Sequence, residues 1–296
     1  MKLTGTITAL VTPFKNNELD KVGLRQNIRF QLENEIDGIV VFGTTGEAPT
    51  LTSEEEEIIL RIAVEEIRGK VPLLVGTGTY STEATIQNTK KAKELGADGA
   101  LVISPYYNRP TQEGIYQHFA TLTQKVPFPI YIYNNPIRTG ANIKTETLEK
   151  IAALPYVFGV KETSGNILQI QEVLQKIGHG NKNFSVISGD DIFTYPLLAL
   201  GGDGVISVAS NLFPKEMKNL TQAATLEEAK EIHFSLLPLF EVLGLETNPI
   251  PIKTAMALSG MPAGPCRLPL CSMNGQNKAK LETFLKTYKP KMEVFV

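Results

Sequence analysis

Eight short apolar, β-branched runs recur along the chain, at Gly5–Val11, Gly38–Phe42, Pro72–Val75, Gly99–Ile103, Pro129–Tyr133, Val157–Val160, Phe184–Ile187 and Gly204–Val208. Each is nearly continuous in apolar residues instead of alternating, which is the pattern of a strand covered on both faces. The stretches between them carry helix signals. Thr52-Ser53-Glu54-Glu55 offers an N-cap followed by first-turn acids, Ile58, Ile59, Ile62 and Ala63 then share one helical face, and Gly69 ends the segment. Ser81–Gly96 repeats the design. Strand and helix alternate roughly every 30 residues, the rhythm of a parallel sheet. Eight such units predict an α/β fold that closes as a (β/α)8 TIM barrel. The competing open doubly wound sheet lacks its mark, since no G-x-G-x-x-G follows the first run. Beyond the eighth run, helices are predicted at Leu226–Leu243, Ile252–Leu258 and Gly275–Leu285, with Pro and Gly clusters between them. The expected organisation is a catalytic barrel over 1–224 and a C-terminal helical appendage over 225–296, the latter serving packing or assembly.

Composition narrows the function. A chain of 296 residues with formal net charge -2 and pI near 6.0 lacks the clustered positive charge that nucleic acid or an anionic membrane demands. No apolar run is long enough to span a bilayer, and Met1-Lys2 leads directly into strand-like sequence without a signal peptide, so a cytoplasmic protein is expected. Cys266 and Cys271 are too few for a disulfide framework and are expected to be reduced. His118, His179 and His233 are scattered and Asp190-Asp191 has no companions, so neither a metal nor a cofactor is expected.

Candidate chemistry collects at the strand ends. In a closed parallel barrel only the C-terminal strand ends and their loops surround the active-site mouth. Lys161 follows the buried run Val157–Val160, where an ammonium loses hydration, and desolvation favours the neutral amine that attacks ketones to form a Schiff base. Taken alone, such a lysine is more often a surface charge that snorkels to water. The second run ends in Gly43-Thr44-Thr45-Gly46-Glu47, a turn able to offer N–H and hydroxyl groups to a small anion. The fourth ends in Ser104-Pro105-Tyr106-Tyr107, the fifth in Tyr133-Asn134-Asn135-Pro136 with Arg138 beyond, the sixth in Lys161-Glu162, and the seventh in Ser188-Gly189-Asp190-Asp191. Each has an ordinary structural reading as a turn, a half-buried aromatic or a solvated arginine. Around one mouth they make a coherent imine site with carboxylate recognition.

The segments Gly43–Leu51, Ser104–Phe119, Tyr133–Gly140, Gly159–Asn166, Ser188–Asp191 and Gly201–Val208 closely resemble the 4-hydroxy-tetrahydrodipicolinate synthase (dihydrodipicolinate synthase) family of pyruvate-dependent class I aldolases. The likeness extends to Asn248-Pro249-Ile250-Pro251 and Arg267-Leu268-Pro269. It implies a lyase that condenses pyruvate with L-aspartate 4-semialdehyde in lysine and diaminopimelate biosynthesis. By the resemblance, Lys161 carries the pyruvate Schiff base, and Tyr133 relays protons with Thr44 and with Tyr107, the last reaching into a neighbouring subunit. Thr45 would hold the pyruvate carboxylate, Arg138 the carboxylate of the semialdehyde, and Gly189 and Ile206 would line the pocket. A homotetramer built as a dimer of dimers is implied as well. Two positions depart from the family pattern: Asn135 stands where a small apolar residue is expected, and Thr163-Ser164 replaces an alanine-led pair. Other pyruvate-imine enzymes, such as N-acetylneuraminate lyase, share the lysine and tyrosine, and Arg138 argues against them. A silent binding protein on the same scaffold is the other alternative. Inhibition by lysine is expected to be weak, because Ala84 lacks the carboxylate that the resemblance expects in the inhibitor cleft, although Glu56 and Tyr106 are present there.

Overall fold

The predicted strands pair in a ring. In the computed structural model, which describes residues 2–178, 180–181 and 183–288, ten strands form. They are β1 (Gly5–Ala9), β2 (Phe14–Lys15), β3 (Glu18–Leu19), β4 (Gly38–Val41), β5 (Leu73–Gly76), β6 (Gly99–Ile103), β7 (Ile130–Asn134), β8 (Val157–Glu162), β9 (Ser185–Ser188) and β10 (Gly204–Ser207). The barrel runs β1-β10-β9-β8-β7-β6-β5-β4 and closes where β1 pairs with β4, every pairing being parallel. The small antiparallel hairpin of β2 and β3 lies outside the ring and carries no strand signal long enough to read from sequence.

Three strand ends differ from expectation for reasons visible in the hydrogen bonding. The first run leaves the ladder before Val11, whose N–H is taken by Asn211 Oδ1 at 3.0 Å. The eighth stops at Ser207 because Asp191 Oδ2 accepts from Val208 N at 3.1 Å and from Ala209 N at 2.9 Å. The sixth runs on to Glu162, so Lys161 lies inside β8 instead of just beyond it.

Two apolar layers build the barrel. Ile7, Val40, Leu74, Leu101, Tyr131, Tyr133, Ile187 and Ile206 fill the lumen, while the opposite faces of the strands pack against the surrounding helices. The helix predicted after Thr52 forms over Ser53–Ile67 with a complete capping box, Glu55 N donating to Thr52 Oγ1 and Thr52 N donating to Glu55 Oε2. The next forms over Thr82–Glu94, capped by Ser81. The C-terminal region holds helices at Leu226–Leu243, Ile250–Leu258 and Gly275–Thr287. The second of these starts earlier than predicted because Pro251 suits a first helical turn. Ala229, Leu236, Leu239 and Phe240 of the long helix share a buried cluster with Val205, Met217 and Leu220 of the barrel, so the appendage packs directly on the ring.

Among the described residues no helix is long and apolar enough to cross a membrane, and no cluster of His, Cys, Asp and Glu could hold a metal ion. His179 lies outside the described residues. Cys266 and Cys271 are both reduced.

Candidate active site

The register of β7 and β8 creates the centre of the site. Tyr133 pairs with Lys161 and Asn134 with Glu162, so the tyrosine and lysine share the lumen face while the amide and carboxylate share the outer one. The pairing shifts between Ile130 and Tyr131, which face Val157 and Gly159, leaving Phe158 as a one-residue bulge. Were Phe158 paired in regular register instead, Val160 and not Lys161 would stand beside Tyr133. The bulge thus aims the amine.

Lys161 and Tyr133 are 7% and 6% exposed, and the lysine Nζ sits 4.2 Å from the tyrosine ring centroid. Burial on its own would raise the phenol's pKa. The charge of Lys161, a hydrogen bond from Asn135, the charge of Arg138 and a hydrogen bond with Thr44 outweigh it and hold Tyr133 below the ordinary phenol range. On the outer face Glu162 is buried and accepts from Ser164 N at 2.7 Å, Asn134 Nδ2 at 3.1 Å and Gln169 Nε2 at 3.4 Å. Desolvation nevertheless pushes its carboxyl up. This network fixes the backbone on either side of Lys161.

Above the pair opens a cavity of about 460 Å3 lined by Thr44, Thr45, Arg138, Gly189, Asp190 and Asn248, among others. The turn after β4 forms one of its walls. Glu47 adopts a left-handed backbone at φ 54°, and its buried carboxylate accepts from Lys253 Nζ at 2.6 Å and from Arg267 N at 2.9 Å. Thr12 Oγ1 donates to Gly46 O at 2.7 Å, tying the same turn to the loop after β1. Gly189 has a steric reason: a Cβ there would lie 2.7 Å from Lys161 Cε and collide with the Thr163 hydroxyl. Only glycine lets that loop pass the lysine.

Most of the residues singled out in the sequence meet here. Lys161, Tyr133, Thr44, Thr45, Arg138 and Gly189 all line the cavity. Ile206 does not: it is 1% exposed and packs in the lumen layer with Tyr133 and Ile187, while Val208 occupies the wall. Tyr107 is also absent from its own chain's mouth. It is 90% exposed with a left-handed φ of 70° and projects outward. Tyr106 lines an adjoining cavity of about 500 Å3 together with Ala48, Pro49, Glu56 and Asn88, and its ring meets Tyr80 edge-on at 5.6 Å.

Four further residues enter the site. Asn248, from the region expected only to pack, donates from Nδ2 to Thr45 Oγ1 at 3.0 Å and accepts from Arg138 Nη2 through its backbone carbonyl at 3.2 Å. It thereby links the two candidate carboxylate sites; its only trace in the sequence was membership of the Asn248–Pro251 motif. Asn135 touches the Tyr133 hydroxyl. Thr163 lines the wall with a buried hydroxyl that bonds to no other group among the described residues. Asp190 lines the rim, where partial enclosure raises its carboxyl against the opposing charge of Lys161. A buried amine beside a tyrosine, below a hydroxyl-lined turn and an arginine, can form an imine with a 2-oxo acid and move its protons.

Comparison with known proteins agrees with that chemistry. The model of the dihydrodipicolinate synthetase family matches residues 2–288. The chain is 50% identical over 289 residues to the 4-hydroxy-tetrahydrodipicolinate synthase of Protochlamydia amoebophila, covering 96% of both chains. Its structure resembles that of the dihydrodipicolinate synthase of Thermotoga maritima, with a TM-score of 0.94 at 43% identity over 97% of this chain and 98% of that one. The enzyme of Acinetobacter baumannii, determined in complex with pyruvate, gives a TM-score of 0.93 at 36% identity, with 96% of this chain and 98% of that one covered.

Proposed function

The chain belongs to the dihydrodipicolinate synthetase family and is a lyase, and on that premise we propose how its residues condense pyruvate with L-aspartate 4-semialdehyde to 4-hydroxy-tetrahydrodipicolinate in lysine and diaminopimelate biosynthesis. The observation that carries the proposal is the buried Lys161 against the Tyr133 ring, at the floor of a cavity flanked by the Thr44-Thr45 turn and Arg138.

In its free-base form the Lys161 amine attacks the pyruvate carbonyl carbon, and the proton its nitrogen loses passes to the carbonyl oxygen, giving a carbinolamine. Tyr133 gives its proton to the departing oxygen, water leaves, and the nitrogen lone pair becomes the imine bond. The cationic nitrogen then accepts electrons as a methyl proton returns to the Tyr133 oxygen, leaving an enamine. Its terminal carbon adds to the semialdehyde carbonyl, the cationic imine re-forms, and the Tyr133 proton passes to the aldehyde oxygen to give the hydroxyl. The semialdehyde's own amino nitrogen attacks the imine carbon, and the proton it loses passes through the Tyr133 oxygen to the Lys161 nitrogen as the bond to Lys161 breaks, which leaves a cyclic imine and the free amine. Thr45, held by Asn248, receives the pyruvate carboxylate, and the Arg138 fork receives that of the second substrate. No metal or cofactor takes part in this scheme.

Pyruvate followed by borohydride should add a reduced adduct to the intact chain, and peptide mapping should place it on Lys161. Labelling of another lysine, or none, would sink the mechanism. Condensation should also be measured beside N-acetylneuraminate and keto-sugar-acid substrates, with turnover expected only for the semialdehyde pair.

The outward Tyr107 supports a site shared between subunits, and the homotetramer built as a dimer of dimers and the cytoplasmic location belong to the same proposal on the strength of family membership alone.

A further inference from the structure

Asn135 follows β7 directly and is 5% exposed, an amide where the resemblance calls for a small apolar side chain. Its Oδ1 accepts from Arg138 N at 3.2 Å and caps the helical turn Pro136–Thr139. That N–H is shared with the Asn135 main-chain carbonyl at 3.1 Å, and because it can only donate, the arrangement that uses both ends of the amide has the carbonyl end facing it and the NH2 end facing the other way. That NH2 meets Tyr133 Oη at 2.9 Å. The bond therefore has one direction: the phenol oxygen accepts from Asn135, and the phenol's own proton cannot point there.

We propose that Asn135 is a positioning residue of the proton relay, whose amide turns the Tyr133 proton toward Thr44 and the imine and steadies the phenolate left when that proton departs. The inference rests on the roles given above to Lys161 and Tyr133. When Tyr133 protonates the leaving oxygen of the carbinolamine, the C–O bond breaks, water departs and the phenol becomes a phenolate. The phenolate regains a proton when the methyl C–H pair becomes the enamine double bond. Between the two transfers the oxygen bears a full charge in a buried place, where a lost donor is costly.

The other groups facing the phenol agree with this. Lys161 on β8 and Arg138 on the Pro136–Thr139 turn bring positive charge toward it, and Thr44 bonds it from the turn after β4. Asp190 on the loop after β9 acts on Lys161, while Glu47, Glu56 and Tyr106 line the adjoining cavity that also reaches Tyr133. Among these neighbours Asn135 supplies a neutral donor whose direction is fixed independently of substrate.

Two substitutions in the full-length chain separate the relay role from plain capping. Asn135→Asp keeps the shape and the acceptor for Arg138 N but replaces the donor with an oxygen. Asn135→Leu removes both. With tyrosines labelled at Cζ by carbon-13 and the Tyr133 signal assigned from Tyr133→Phe, both variants should move the Tyr133 titration upward by about one pH unit or more. Both should lower kcat about tenfold, shift the linked limb of its pH profile in the same direction, and leave borohydride labelling of Lys161 in place. A capping role alone predicts that Asn135→Leu, which brings no charge beside the phenol, leaves the titration and the pH profile unmoved, and that result would overturn the proposal. The titration reads the coupling whether or not substrate turns over. Absence of condensation in the unsubstituted chain therefore counts against the assigned reaction, and absence of a titration shift counts against Asn135.

Discussion

Arg138 sits on a turn only four residues long, with one guanidinium nitrogen on the Asn248 carbonyl at 3.2 Å and further N–H donors for a carboxylate. The pyruvate side already has Thr45 and its turn, so Arg138→Ala should raise the KM of the semialdehyde about tenfold or more while moving that of pyruvate less than about threefold. Steady-state kinetics with each substrate varied in turn checks this, and equal effects would remove the assigned role. Lys161 and Tyr133 could be placed at the barrel mouth from the sequence because apolar lead-ins put both at strand ends; that both are buried there is what the fold adds. The roles of Asn248 and Asn135 were not legible, because an amide's value depends on what folding brings to its two ends. Ile206 was named on the family resemblance, and its side chain lies in the lumen layer beneath the cavity while Val208 reaches the wall, a difference set by where the strand stops.

The turn Gly43–Glu47 and the helix Ile250–Leu258 act as one unit, although most of the chain separates them. Lys253, with its side chain 2% exposed, donates to Glu47 Oε1 and also to Thr12 O at 3.0 Å and Pro265 O at 3.1 Å. Removing one partner of a buried pair leaves an uncompensated charge, so Lys253→Met should cost about 3 kcal/mol of stability and raise the KM of pyruvate through the loosened Thr45 turn. The combined Glu47→Leu and Lys253→Met chain should recover part of the stability in urea denaturation but not the KM. A loss below about 1 kcal/mol for the single change would show that the pair is not needed to hold the turn. At this scale the eight barrel strands and the three terminal helices could be read from the apolar pattern, because each needs a run of similar residues. The bulge at Phe158 could not, since a one-residue slip in pairing leaves no mark in composition.

Over the whole molecule, the outward Tyr107 is the feature that one chain alone does not explain. A tyrosine held in a left-handed conformation and 90% exposed carries strain with no contact in its own mouth to offset it. If it serves a neighbouring site, an inactive Lys161→Ala chain and a weakened Tyr107→Phe chain should partly rescue each other when co-assembled, since one site in a mixed pair would hold both groups. Activity no greater than that of the separate parents would count against the shared site. The bond from Asn248 to Thr45 and the anchor from Lys253 to Glu47 bear in turn on the order of synthesis. A ribosome that has released β1 through β10 has delivered Lys161 and Tyr133, but not the two residues that anchor the turn above them. On the roles proposed above, the turn that would receive the ketone's carboxylate gains its supports only after the reacting pair has been made, so a chain ended early would carry the amine beneath a turn without its anchors.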